Sequence, residues 1–105
     1  MATVLEFTVL NDQEISGALA HLTGWERQGE KLAKTFECAS FFEAVALVNR
    51  VAVVAEKLNH HPDIAIHYKK VSFSLWTHKT GGITQADIVL AAMIQEVSFQ
   101  PAAAH

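Results

Sequence analysis

Apolar residues recur every third or fourth position in some stretches of this chain and every second position in others, and the change of period marks out its elements. Ile15, Ala18, Leu19 and Leu22 make one apolar face, and Asn11 or Asp12 ahead of them can accept from the free N–H groups of a first turn. That predicts a first helix, ended by Gly24. Trp25 to Gln28 and Lys31 to Phe36 read as two short strands joined by a turn around Gly29. Residues 3 to 10 read equally as a further strand or as an ordered arm.

The clearest element is a second helix, Phe41 to Leu58, opened by Ser40 and Glu43 as a capping box. It carries two neighbouring stripes, Phe41/Val45/Val48/Ala52/Ala55 and Ala44/Leu47/Val51/Val54/Leu58. One stripe can cover a sheet, and the other needs a partner. In so small a chain a second subunit is a better supplier than the helix's own core, and helix against helix across a twofold axis, through Leu47, Val51, Val54 and Leu58, is the expected contact.

Pro62 biases His61 away from helical angles, so the helix stops by about Asn59. Ile64, Ile66 and Tyr68, then Val71, Phe73 and Leu75, alternate around Lys69-Lys70 as a hairpin. A third helix begins at Thr84, with Asp87 at the box position, and runs to about Val97. The order α-β-β-α-β-β-α predicts an α+β fold, an antiparallel sheet with its helices segregated to one face.

Composition narrows the function. A length of 105 residues predicts one domain, 1–105, and a chain of this size can bury roughly two-thirds of its surface without a metal or disulfide staple. The single cysteine, Cys38, removes a disulfide framework and any multi-cysteine zinc site. With 8 Lys+Arg against 11 Asp+Glu the net charge is −3, and without basic runs this argues against direct nucleic-acid binding. Mean hydropathy is +0.19, yet Glu43, Asn49, Arg50, Glu56 and Lys57 interrupt the richest stretch, so no membrane span is expected. Glu6 inside the first apolar run argues against a signal peptide, and a cytoplasmic location is expected.

Of six histidines, His60, His61, His67 and His78 fall within nineteen positions. Imidazole titrates near neutrality, so such a group can supply acid and base together. If Tyr68 faces Val71 across a tight loop, Ile66 faces Phe73, Ile64 faces Leu75 and His61 faces His78, with Cβ atoms about 5 Å apart. His60 follows Glu56 by one turn, and Glu56 can orient its ring. His67 shares strand parity with His61 but lies about 20 Å off, near the far end of the hairpin. The plainer reading, a helix end with polar strand ends, carries about equal weight on spacing alone. Zinc is disfavoured, because adjacent histidines fit one ion poorly and no His-Glu-x-x-His spacing is present. Trp25, Trp76 and Tyr68 read as core aromatics or as a platform for a flat heterocycle, Thr84 and Asp87 first as a helix N-terminus, and Gly81-Gly82 as a turn.

Glu56-Lys57-Leu58-Asn59-His60-His61-Pro62, followed by Tyr68, Thr77-His78 and Asp87, resembles the motif of the pterin-4a-carbinolamine dehydratase family. Gly24-Trp25 and the order of elements extend the likeness over nearly the whole chain. The resemblance implies a four-stranded antiparallel sheet with three helices, and homodimers or homotetramers assembled through helix 41–58 and a sheet edge. It implies dehydration of 4a-hydroxytetrahydropterin to quinonoid dihydropterin in tetrahydrobiopterin recycling, with no metal or redox cofactor. His60, His61 and His78 would be catalytic, with Glu56, Trp25, Thr77, Asp87 and Tyr68 at the substrate. Two positions depart: Asn59 stands where Asp is frequent, and bulky Trp76 where animal members carry a small residue. The alternative function is a non-catalytic pterin-binding or transcriptional co-regulator module acting through its helix surface.

Overall fold

A computed structural model describes residues 8–99, in the order α1 (Asp12–Leu19), β1 (Glu26–Gln28), β2 (Lys31–Glu37), α2 (Phe41–Leu58), β3 (Asp63–His67), β4 (Lys70–Leu75) and α3 (Gln85–Ser98). Each helix begins where a short side chain can accept from the first turn. Asn11 takes the Glu14 N–H at 2.8 Å and Glu14 returns the bond, and Thr84 and Asp87 form the same reciprocal box on α3. At α2 only the Ser40 half of the expected box is present among the described residues, at 3.1 Å, while Glu43 lines a depression with Cys38 and Arg50.

The sheet has the order β1-β2-β4-β3, antiparallel throughout. Alternation sends Leu32, Val71, Phe73 and Leu75 to one face, where they are buried with Ile15 of α1, Leu47 and Val51 of α2 and Leu90 and Ile94 of α3. The other face carries small side chains such as Ala33, Thr35, Ser72 and Ser74, with the Thr35 and Ser72 hydroxyls 2.8 Å apart. The α+β arrangement of four antiparallel strands and three helices is as the pattern predicts.

Several boundaries differ. Helix α1 ends at Leu19, five residues short of Gly24, because the chain tightens through three-residue bonds such as Leu22 N–H to Leu19 O at 3.1 Å. These bonds fold Leu22 into the core. Gly24, at φ +85°, belongs to the following turn, and any Cβ there would lie 2.8 Å from the Lys34 side chain that reaches over to the Thr23 carbonyl. Strand β1 begins at Glu26, and Trp25 turns inward. Of the segment 3–10, residues 3–7 lie outside the described residues; Thr8 to Leu10 are irregular, with Leu10 N–H bonded to Ile83 O at 2.8 Å.

The hairpin register is corrected as well. Tyr68 adopts φ 56° and is itself in the loop, so His67 pairs with Lys70, Ile66 with Val71 and Ile64 with Phe73. Moving the turn by one residue slides the partners by two, which leaves every side chain on its expected face but sets His61 level with Trp76 and not with His78.

Helix α2 also buries the stripe expected to meet a partner, and the other stripe is not left bare in exchange, since Ala55 is buried and Val48 packs against the core. Ala44, Leu47, Val51 and Val54 pack into the core against the sheet and α3, so they are unavailable to a second subunit. The surplus apolar surface is Phe41, Phe42 and Val53, which are 54%, 69% and 55% exposed. The reason is that α3 covers the flank of α2 that a sheet alone would leave bare.

Candidate active site

Helix α2 ends in a left-handed residue, Asn59 at φ 52°, while the His60 N–H closes on Ala55 O at 3.1 Å. Asn is among the few residues that adopt this conformation at small cost. The reversal turns His60 inward and leaves His61 outward, so adjacent histidines have opposite surroundings: 9% of His60 is exposed, against 56% of the His61 side chain. At the end of β4 the extended chain sends Thr77 into the core and keeps Trp76 and His78 on the outer side. The Thr77–Gly82 bridge, with Thr77 N–H to Gly82 O at 2.9 Å, pins the base of the loop carrying His78. Residues 59–63 and 76–79 then line one cavity of about 490 Å³. His60, His61 and His78 all border it.

Behind His60 lies a buried polar network. His60 Nε2 is 2.6 Å from Asp87 Oδ1, and Asp87 Oδ2 accepts from Thr77 Oγ1 at 2.8 Å and from the Thr84 N–H at 2.9 Å. The Thr77 and Thr84 hydroxyls are 2.8 Å apart. Asp87 is 0% exposed. Because an ionised carboxylate only accepts, the hydrogen on this bond belongs to His60 Nε2, which fixes the ring's orientation. The helix box of α3 thus has a second use: the Asp87 that caps the helix also holds a cavity histidine.

Glu56 pairs with His61, not with His60 as the one-turn spacing suggested; its Oε2 lies 2.6 Å from His61 Nε2, and both side chains are largely exposed. The left-handed Asn59 breaks the helical frame before His60, so a one-turn neighbour relation does not carry across it. His78 is exposed, its ring 4.2 Å from that of Trp76 at an inclination of 31°.

The structure does not bring every expected residue to this cavity. Trp25 is 5% exposed and sits in the core, edge-on to Phe36, with its N–H donated to Gln95 Oε1 at 3.2 Å. Lys34 shares that glutamine oxygen at 2.7 Å, and burial pulls its pKa below the ordinary lysine value. Tyr68, 71% exposed, stands at the hairpin loop with His67 beside it. Thr77 borders the cavity, whereas Asp87 and Glu56 reach it through His60 and His61. Asn59, Pro62, Asp63, Trp76 and Lys79 border it too. For Trp76 the signal was available, because it shares strand parity with His78 two residues on. Among the described residues no three His, Cys, Asp or Glu side chains converge as a metal site.

Fold and site together define a small α+β protein whose long helix and central strand end on a cavity bordered by three imidazoles. The sequence model of one family, described as pterin 4 alpha carbinolamine dehydratase, matches residues 8–97, and the chain belongs to that family. A Roseiflexus protein (strain RS-1) assigned to the pterin-4-alpha-carbinolamine dehydratases is 51% identical over 90 residues, which cover 86% of this chain and 97% of that one. A similarly assigned protein of Thermomicrobium roseum is 48% identical over 89 residues, covering 85% of this chain and 96% of the relative. Among solved structures, a transcriptional coactivator/pterin dehydratase from Brucella melitensis superposes with a TM-score of 0.84 at 31% identity, covering 87% of this chain and 99% of that chain. A pterin dehydratase-like RuBisCO assembly factor of the alpha-carboxysome has a TM-score of 0.64 at 23% identity over 75% of this chain and 94% of its own, and shares the fold.

Proposed function

We propose that this protein is a hydro-lyase that dehydrates a 4a-hydroxytetrahydropterin to the quinonoid dihydropterin and water, serving tetrahydrobiopterin recycling in the cytoplasm. The observation that carries the reading is the convergence of His60, His61 and His78 on one cavity. The C4a hydroxyl leaves as water once it is protonated, and N5 gives up its proton as the C4a=N5 double bond forms. One imidazolium beside the oxygen and one neutral imidazole beside N5 meet both needs, each worth on the order of 10² to 10⁴ in rate. Asp87 and Glu56 support the reading by orienting two of the rings, and the chemistry requires no metal or redox group.

Replacing His60, His61 or His78 by Ala should lower turnover of a freshly generated carbinolamine at least about tenfold, after the uncatalysed dehydration is subtracted. His67→Ala, at the far end of the hairpin, should leave it unchanged. Full turnover in all three alanine variants would refute the reading.

The protein assembles as a homodimer or homotetramer through helix 41–58 and a sheet edge. The supporting observation is the exposure of Phe41, Phe42 and Val53 on that helix. A role as co-regulator, in keeping with the coactivator description of the Brucella relative, would act through the same helix surface.

A further inference from the structure

Two of the three cavity imidazoles are steered by oxygen: Asp87 holds His60 and Glu56 holds His61, each at 2.6 Å. His78 is held differently. Its ring lies against the Trp76 indole with centroids 4.2 Å apart, and no oxygen partner accompanies that contact among the described residues. An exposed histidine on a loop otherwise samples several staggered rotamers, of which only some face the cavity.

The indole itself is half-buried. Lys31, the first residue of β2, stands opposite Trp76 one step beyond the Leu32–Leu75 pair, and its Nζ lies 5.2 Å from the ring centre. The indole N–H is buried without an acceptor among the described residues. A tryptophan whose donor is left unused, at the usual penalty for a buried orphan, contributes ring surface and not a hydrogen bond. The alternation of β4 carried one step further explains the contact: Thr77, bridged to Gly82, points inward, so residues 76 and 78 on either side of it point outward, and a flat ring at 76 has the imidazole of 78 for its neighbour.

We propose that Trp76 is the positioning residue for His78, its ring face holding the imidazole toward the cavity where a carboxylate serves His60 and His61. The kinetic consequence rests on the dehydratase reading above. The contact does not.

Trp76→Phe keeps a ring face and drops the orphaned N–H, whereas Trp76→Leu removes the face. The Phe variant should retain kcat within about twofold, and the Leu variant should lose about three- to tenfold in kcat with KM little changed. In a His78→Ala background the Leu substitution should cost nothing further. A Leu variant with native kcat, or losses that multiply in the double variant, would overturn the proposal. Circular dichroism checks that each variant folds. Proton NMR reads the contact without turnover, since the His78 ring protons should be shifted upfield by the indole ring current, retain the shift in Trp76→Phe and lose it in Trp76→Leu. Should the native protein show no turnover, the dehydratase reading fails while this shift still decides the positioning: its loss in the Leu variant supports it, and His78 resonances at the ordinary exposed position in the native protein overturn it.

Discussion

Asp87 shows how one residue serves fold and site at once. It caps α3, accepts from Thr77 and holds His60, all while fully buried. An Asp87→Asn exchange turns one acceptor into a donor facing a donor, so it should destabilise the fold by about 1 to 3 kcal/mol, measured by urea unfolding. Turnover should fall at the same time as far as in His60→Ala, because the ring loses its orienter. Thr77→Val, which removes one donor and leaves the carboxylate otherwise satisfied, should cost less on both measures. The capping role of Asp87 was legible three positions after Thr84. Its bond to His60, across 27 residues of chain, was not. Glu56 illustrates the converse, since its neighbour by helical spacing was His60 and its neighbour in space is His61.

The element that decides the site is the last turn of α2. Its length was readable from Ser40 to Leu58, because caps and apolar spacing are properties of adjacent residues. What happens after Leu58 depends on one dihedral angle, the left-handed φ of Asn59, which sets His60 inward and His61 outward. Asn59→Gly should therefore leave both stability and turnover close to native. Asn59→Val should lose about 1 to 2 kcal/mol in urea unfolding and most of the turnover, because a β-branched residue disfavours that angle and the histidines would move with the backbone. Native stability in the Val variant would show that the helix end does not depend on this conformation. In the β3–β4 hairpin the strands and their faces were equally plain, but the register was not. Tyr68, a residue with no local preference for positive φ, takes the loop position, and the partners slide by two.

At the scale of the whole molecule, the question is which apolar surface the monomer leaves uncovered. Leu47 and Val51 belong to the core, and Phe42 and Val53 face outward from the same helix. Phe42→Glu should thus dissociate the proposed oligomer while preserving the circular dichroism of the native chain. Leu47→Glu should instead unfold the monomer, since a carboxylate without a partner in the core costs several kcal/mol. Light scattering at micromolar concentration separates the cases, and a native mass of 11.5 kDa would show that the outward phenylalanines have no second copy to meet.

By itself the chain determined its elements, their order, the α+β class, the faces of the strands and the cluster of histidines that carries the family motif. These features reside in residues a few positions apart, where period, capping and steric preference act locally. Only the tertiary structure decided which residues of α2 are inside, which carboxylate meets which histidine, and that Trp25 and Tyr68 stand away from the cavity. Those outcomes depend on how α3 packs against α2 and on a turn that moves by one residue. Such choices are settled by contacts between distant segments, whose energies no stretch of neighbouring residues contains.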